Sequence, residues 1–472
     1  MTAVTIGVDI ATADVRAVAV TGEGRVLAVA SAPLPPPTHP RTGWSEQDAV
    51  YAAVSFDVLA ELTAQLGPRP VAGVCVTSTS GTVVPCDEHG NRAGPAVMYD
   101  DQRTRTGPEA APALPDALAR VAWLQRYTPA PRYLHVADTV TAALAGRLLP
   151  TDTSHALKTG ADPVTLTWPQ ALLDSAEVSS SQLPPLERPG RIVGTVDKRA
   201  AERTGLPSGT PLVLGMTDGC TGQIAAGAVR PGQGVGVLGT TLVIKAVSRR
   251  QIMDPYGAFY SHRAPDGLWW PGGASNVGAG ALQTRYPARD LPALDEAAWL
   301  HGPARHLRYP LTRTGERFPF RVPDATGFTL GTSEGETDIF RSFLEGTAFT
   351  ERLGLEVLAA AGAAISGPLR AVGGGSRSTA WLRIRATVLD RPLEVPAEPS
   401  SGFGAAVLAA AGTLYDDIGE AVGHMVRTAV TAEPDPAQLS VLQEGYRQFT
   451  GELQRRGWLA SPLPSIVRPR RR

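Results

Sequence analysis

The chain has 472 residues, of which 43% are hydrophobic and 19% charged, with a formal net charge of -1. That is a soluble globular composition, long enough for roughly two to four domains. So balanced a charge offers no basic field for nucleic acid, and no apolar run reaches the roughly 18 residues that a spanning helix needs.

The three cysteines, Cys75, Cys86 and Cys220, show neither CxxC nor metal-ligand spacing and suit a reducing compartment. Met1-Thr-Ala-Val-Thr-Ile lacks the basic start and long apolar run of a signal peptide, so a cytoplasmic location is expected. Lysine is confined to Lys158, Lys198 and Lys245, and arginine carries the positive charge, which is read as compositional bias. The basic tail Arg468-Pro-Arg-Arg-Arg472 reads as a solvated end.

At the amino end, Val4-Thr-Ile-Gly-Val-Asp9-Ile is a β-branched run ending in a carboxylate. Val15–Val20 and, after Gly22-Glu-Gly24, Arg25–Ala30 complete a three-stranded meander. Asp9 and Thr12 in the first turn could hold Mg²⁺ and nucleotide phosphates, since Mg²⁺ shares carboxylate, water and phosphate ligands. Such an Asp also serves simply as a turn former.

Pro33 to Pro40 is an extended loop. Asp48 is a candidate N-cap for a helix with the apolar stripe Val50, Val54, Val58, Leu62 and Leu66. Val71–Val76 is a buried strand that runs into the hydroxyl cluster Thr77-Ser-Thr-Ser80-Gly81-Thr82. Asp87-Glu-His-Gly90 marks a turn. Asp100-Asp101-Gln102-Arg103 offers acceptors and donors suited to gripping hydroxyls, or else a polar surface turn. Residues 107 to 212 read as helices joined by loops.

Val213-Leu-Gly-Met-Thr-Asp218-Gly is an apolar strand end from which a carboxylate emerges among small residues. The open end of a strand is where α/β folds bind ligands, so Asp218 is a candidate catalytic base; the alternative is a helix cap. Gly234–Lys245 reads as a hairpin whose turn, Gly239-Thr240-Thr241, can present N–H groups and hydroxyls to a phosphate. Trp269–Gly280, with Gly278, is a glycine-rich loop before a helix, and residues 334 to 362 are a long helix. Leu369–Ser378 is a strand, then the glycine loop Gly373-Gly374-Gly375-Ser376-Arg377-Ser378, then a helix, an arrangement that brings backbone close to a nucleotide. Ser401–Ala411 is a small-residue helix made for close packing. The chain contains no GxxxxGK[ST], HExxH or HRD signature.

In order and spacing, Asp9/Thr12, Gly43-Trp-Ser-Glu-Gln-Asp, Asp101-Gln-Arg, Asp218, Gly239-Thr-Thr, Gly373-Gly-Gly-Ser-Arg-Ser and Gly404-Ala-Ala resemble the FGGY carbohydrate kinases over nearly the whole chain. The resemblance implies an α/β fold of two actin-like (ribonuclease H-like) ATPase domains with a cleft between them. Residues 1–245 would bind sugar and carry the base, and residues 246–472 would bind ATP. It implies Asp218 as the base that takes a sugar hydroxyl proton during attack on the γ-phosphorus. Alignment, charge neutralisation and one base are what phosphoryl transfer needs. It further implies Ser80, Gly81 and Asp101 at the sugar and Mg²⁺ at Asp9. Thr12, Gly239, Thr240, Thr241, Gly278, Gly373, Gly374, Gly375, Ser376 and Ser378 would lie at ATP.

Thr79-Ser80-Gly81, Thr217-Asp-Gly, Leu238-Gly-Thr-Thr-Leu-Val-Ile-Lys, Gly272-Gly-Ala-Ser-Asn and Gly315-Glu-Arg-Phe-Pro are similar to the D-ribulose kinase branch. The expected reaction is phosphorylation of a ketopentose, D-ribulose first, at its terminal hydroxyl. D-xylulose or another polyol is one alternative, and a weakened kinase that senses sugar or nucleotide is another. The expected partners are small molecules, with no nucleic acid and no membrane, in a monomer or homodimer. Three positions depart from the family pattern: Ala11 and Ala13 in the first turn and Gly219 beside the base. If Ala11 needed a positive φ, its methyl would cost about 1 kcal/mol.

Overall fold

The computed structural model describes residues 3–105, 111, 113–252, 254, 257–287 and 291–459; the basic tail lies outside them. The chain divides into two compact units. The first comprises Met1–Ala225, His262–Gly267 and Ser400–Val426, and the second Ala226–Ser261, Leu268–Pro399 and Arg427–Arg472.

In the first unit, Val4–Ile10, Asp14–Thr21 and Val26–Pro33 form the expected antiparallel meander. The first strand is buried on both faces, as suits its unbroken run of small and β-branched residues. Its other edge pairs in parallel with Val71–Ser78, which pairs in parallel with Pro211–Val213; Ile192–Thr195 adds an antiparallel edge. The sheet order is therefore Ile192–Thr195, Pro211–Val213, Val71–Ser78, Val4–Ile10, Asp14–Thr21, Val26–Pro33.

Helix Tyr51–Leu66 buries Val58, Leu62 and Leu66 of the predicted stripe together with Val4, Ile6 and Val8. Asp48 does not cap this helix: the N-cap position is Val50, with no side-chain bond, and Asp48 is instead ion-paired with Arg92. Residues 107 to 212 contain the helices Asp116–Tyr127, Val136–Ala145, Gln170–Ala176 and Lys198–Thr204, but also short strands, such as Arg132–Leu134, that were not foreseen.

The second unit repeats the plan. Gly234–Leu238, Leu242–Ala246 and Trp269–Ser275 are antiparallel neighbours. The free edge of Gly234–Leu238 pairs in parallel with Leu369–Val372, then Leu393–Pro396 in parallel and Thr428–Ala432 antiparallel. Trp269–Ser275 is thus a strand and not the loop its glycines suggested. Gly272 and Gly273 are there because a Cβ would meet the Ile244 carbonyl or the Phe318 ring at under 3 Å. The helix expected over 334–362 is Glu336–Ala360; Phe340, Leu344 and Phe349 anchor it in the core.

Two departures from the expected division after Lys245 follow from pairing and packing. The hairpin Gly234–Ala246 belongs to the second unit because its first strand pairs with Leu369–Val372. Helix Ser401–Ala411 belongs to the first unit because it lies on Val4–Ile10 and on helix Asp218–Ala225 at backbone distance. A Cβ on Gly7 would sit 1.9 Å from the Gly402 carbonyl oxygen, and one on Gly404 1.8 Å from that of Thr221. Overpacking of this kind costs about 3 kcal/mol. Gly404→Val is therefore expected to lower the melting temperature of the first unit by roughly 6–12 °C by calorimetry, with Gly404→Ala intermediate.

Candidate active site

The register of the first sheet brings three predicted residues to one edge. Asp9 lies opposite Thr77, Ile10 opposite Ser78, and Ser78 bridges in parallel to Thr217. Asp9, Ser80 and Asp218 therefore sit at the carboxyl ends of three neighbouring parallel strands, where open α/β sheets bind ligands.

Asp218 is the first residue of helix Asp218–Ala225. Thr217 stands in the cap position, its carbonyl accepting from the amides of Cys220 (2.7 Å) and Thr221 (3.0 Å). The Asp218 carbonyl accepts from Thr221 Oγ1 and Ser401 Oγ, both at 3.1 Å. One carboxylate oxygen accepts from the Gly219 amide at 2.6 Å. The other has no protein donor among the described residues, so the half-buried side chain retains an oxygen for chemistry.

Asp9 Oδ1 is buried and has no hydrogen-bond partner. Burial, and then the charges of Asp218 and Asp14, push its pKa up to about 7, while Arg16 pulls the other way. A buried, unsatisfied carboxylate oxygen fits a cation. No cluster of three or more ligating side chains exists among the described residues, so Mg²⁺ would rest on Asp9 with water and phosphate oxygens. Thr12 lies half-buried in the same turn, its carbonyl accepting from Gln47 Nε2 at 2.8 Å. Among the described residues, positive φ outside glycine occurs only at Leu166, Glu177 and Asp390, so the Ala11 methyl carries no such strain.

Beyond the second strand end, Ser80 Oγ is buried and unpartnered. Gly81 has φ +96°, and its carbonyl accepts from Arg120 at 3.0 Å. Lys158 reaches the Ser80 carbonyl at 3.3 Å.

Asp101 is different. It is fully buried, and its oxygens accept from the amides of Ser45 (2.7 Å) and Arg103 (2.9 Å) and from the Arg103 guanidinium (2.9–3.0 Å). The expectation that Asp101 touches the sugar is corrected, because those protein donors occupy its acceptor sites. It holds Arg103 over Trp44, 3.7 Å from the ring centroid.

His155, also buried, ties the strand end down. Its Nδ1 donates to Asp152 Oδ2 (2.5 Å) and its Nε2 to Ser78 Oγ (3.0 Å). Burial disfavours the imidazolium, but the charges of Asp152, Asp138 and Asp218 outweigh it and raise the pKa to about 9.

In the second unit, the parallel strands Gly234–Leu238 and Leu369–Val372 end at Gly239 and Gly373. The amide of Gly239 is used within its own turn, donating to Thr241 at 3.1 Å, whereas those of Thr240 and Thr241 have no acceptor among the described residues. A Cβ on Gly278 would lie 2.4 Å from the Thr240 carbonyl oxygen, and one on Gly373 2.5 Å from that of Leu238. A Cβ on Gly374 would meet nothing within 4 Å.

Gly374 lines a cavity of about 830 Å³ together with Gly239, Thr240, Gly375 and Ser378. Thr241, Gly278, Gly373 and Ser376 are not in its lining. The Ser376 hydroxyl donates to the Gly373 carbonyl at 2.7 Å, and the Ser378 hydroxyl caps the next helix by accepting from the Trp381 amide at 3.0 Å. The cavity's far wall is Leu291, Pro292, Trp299, Phe340 and Trp381, with Asp295, Glu296, Arg377 and Arg383 as its charged groups.

With this geometry in hand, the comparisons with known proteins decide the family. Residues 4–110 and 115–225 match the N-terminal domain of the FGGY family of carbohydrate kinases, and residues 234–413 match its C-terminal domain. The chain belongs to the FGGY family of carbohydrate kinases. It is 28% identical to a xylulose kinase of Streptomyces rubiginosus, covering 90% of this chain and 91% of that one. It is 24% identical to a gluconokinase of Bacillus subtilis, covering 92% of each. Among solved structures it resembles the xylulose kinase from Rhodospirillum rubrum, with a TM-score of 0.84 and 30% identity over 95% of this chain and 98% of that one. The two-domain α/β fold and a carbohydrate kinase activity that uses ATP follow from this membership. No helix among the described residues is long and apolar enough to cross a membrane.

The sequence reading missed Lys158, His155, Asp295 and Trp299. Asp152-Thr-Ser-His-Ala-Leu-Lys158 is a dense polar stretch in an Ala- and Leu-rich region, and that contrast was the available signal. Leu291–His301 carries no signal beyond an ordinary helix.

The raised pKa of His155 has a consequence for stability. A group charged more readily in the folded state stabilises it fully below its ordinary pKa of 6.5 and loses that contribution as pH rises through about 9. Denaturant melts of the wild type should therefore lose stability between pH 6.5 and 9, and His155→Gln should remove that part of the slope.

Proposed function

We propose that this FGGY kinase transfers the γ-phosphate of ATP to the terminal hydroxyl of a ketopentose, D-ribulose first, giving the 5-phosphate and ADP. The observation that carries this reading is the convergence of Asp218, Ser80 and Asp9 on adjacent parallel strand ends. Asp218 takes the hydroxyl proton on its uncommitted oxygen while the hydroxyl oxygen forms the new bond to phosphorus and the bond to ADP breaks. Ser80 Oγ, buried and unpartnered, orients the acceptor. The Thr240 and Thr241 amides and the open backbone at Gly374 receive phosphate oxygens, and the apolar far wall of the cavity suits a base. Mg²⁺, held at Asp9, supplies neutralisation of phosphate charge when bound.

A second reading is D-xylulose as acceptor. It is supported by the xylulose kinase of Streptomyces rubiginosus, 28% identical over 90% of this chain, and by that from Rhodospirillum rubrum, 30% identical. Against it stands Thr79-Ser80-Gly81 at the acceptor strand, which favours D-ribulose.

The test is a coupled ADP-release assay with ATP, Mg²⁺ and a sugar panel. Turnover is expected to depend on sugar, with kcat/KM higher for D-ribulose than for D-xylulose. Asp218→Asn should lower kcat about 10²–10⁴-fold. The reverse order of the two ketopentoses would transfer the assignment to D-xylulose. Absence of sugar-dependent turnover, with sugar or nucleotide binding retained by calorimetry, would replace both with the sensor reading. Gly374→Val, whose side chain would project into the cavity, should raise KM for ATP tenfold or more and leave KM for the sugar within about twofold.

A further inference from the structure

Lys158 has a setting unlike that of a surface lysine. It lies in the short 3₁₀ turn Ala156–Thr159, and its stem packs against Gly81, where an added Cβ would sit 3.3 Å from Lys158 Cδ. Its only hydrogen bond among the described residues runs to the Ser80 carbonyl at 3.3 Å, and no carboxylate lies within ion-pair distance. An ammonium has three donors, so two remain uncommitted. Of all charged groups, Asp218 attracts it most strongly. Ser80, whose carbonyl it meets, also carries a hydroxyl that is buried without a partner. Three groups from three separate segments thus converge: a carboxylate that only accepts, a hydroxyl that does either, and an ammonium that only donates.

The identity of the acceptor oxygen at each group follows from that complementarity. A carboxylate calls for the donor O–H that is to be phosphorylated. An ammonium with spare donors pairs with any accepting oxygen, but a carbonyl oxygen offers both lone pairs and brings no proton that needs an acceptor of its own, whereas every hydroxyl of a polyol does. We propose that Lys158 is a specificity-determining residue that donates to an sp² oxygen of the acceptor, the carbonyl of a ketose, and thereby selects ketoses over the corresponding polyols. This rests on the ketopentose kinase reading above. A carboxylate oxygen of an aldonate offers the same chemistry, and the experiment separates the two sources.

The experiment compares wild type, Lys158→Met and Lys158→Arg by kcat/KM with D-ribulose and D-xylulose against ribitol and D-arabinitol, with D-gluconate as the carboxylate arm. The wild type should prefer ketopentose to pentitol by about 10- to 100-fold, the effect of one charge-assisted hydrogen bond. Lys158→Met should remove most of that preference by slowing the ketopentose reaction far more than the pentitol reaction, and Lys158→Arg should restore part of it. D-gluconate as the best wild-type acceptor, with the loss in Lys158→Met falling on it, would assign the oxygen to a carboxylate. An equal fall for ketose, aldonate and pentitol, as expected if Lys158 merely props up the Ser80 loop, would overturn the proposal, as would no change. If the wild type phosphorylates none of these, the ketopentose reading fails. Calorimetric dissociation constants for D-ribulose and ribitol then decide the inference separately, and a ratio unaltered by Lys158→Met overturns it.

Discussion

Backbone-to-backbone packing at glycine is the constraint on which the first unit's site depends. Helix Ser401–Ala411 lies against the first strand and against helix Asp218–Ala225 so closely that the Gly7 and Gly404 positions have no room for a methyl. That approach lets Ser401 Oγ reach the Asp218 carbonyl. The start of the Asp218 helix is therefore pinned by a residue 183 positions away in sequence. A side chain at either glycine would displace the helix that carries the candidate base, so packing and chemistry share one geometry.

Around that geometry the electrostatics are arranged in opposing pairs. Asp9 Oδ1 is buried without a hydrogen-bond donor, and burial together with the charge of Asp218 disfavours the carboxylate, a setting that suits a cation. Two cationic groups, the buried His155 and the half-buried Lys158, are both acted on by the charge of Asp218. His155 is saturated by Asp152 and Ser78 and so fixes the strand end. Lys158, half-buried, makes one hydrogen bond and keeps donors that a ligand can complete.

The second unit solves a different problem with the same strand plan. On the proposed reading this unit receives phosphate, which needs N–H groups and room, and its strand ends turn through glycine-rich loops. Gly278 and Gly373 are forced by contacts with the neighbouring turn and strand, whereas Gly374 is forced by nothing in the protein. A glycine with open space beside it, at the edge of a large cavity, keeps that space clear.

The sequence by itself determined the main strands of the first sheet and where they end. Runs of β-branched and small residues such as Val4–Ile10 and Val71–Ser78 read as buried strands, and the polar residues at or just beyond the strand ends, Asp9, Ser80 and Asp218, were legible as candidates because a chain leaving a sheet must turn. The glycine loops at 239 and 373 were legible for the same reason. Tertiary structure decided what spacing cannot encode. Asp101 reads as an exposed ligand grip, yet Arg103, two residues on, folds back to occupy it. Trp269–Ser275 reads as a loop, yet its glycines mark where the Ile244 carbonyl and the Phe318 ring press on a strand. Lys158 reads as one of three scattered lysines, and only the fold brings it to Ser80. Local pattern reports whether a residue will be buried or will end an element. Which distant group it meets depends on the register and packing of segments far apart in the chain, and that information exists only once they are assembled.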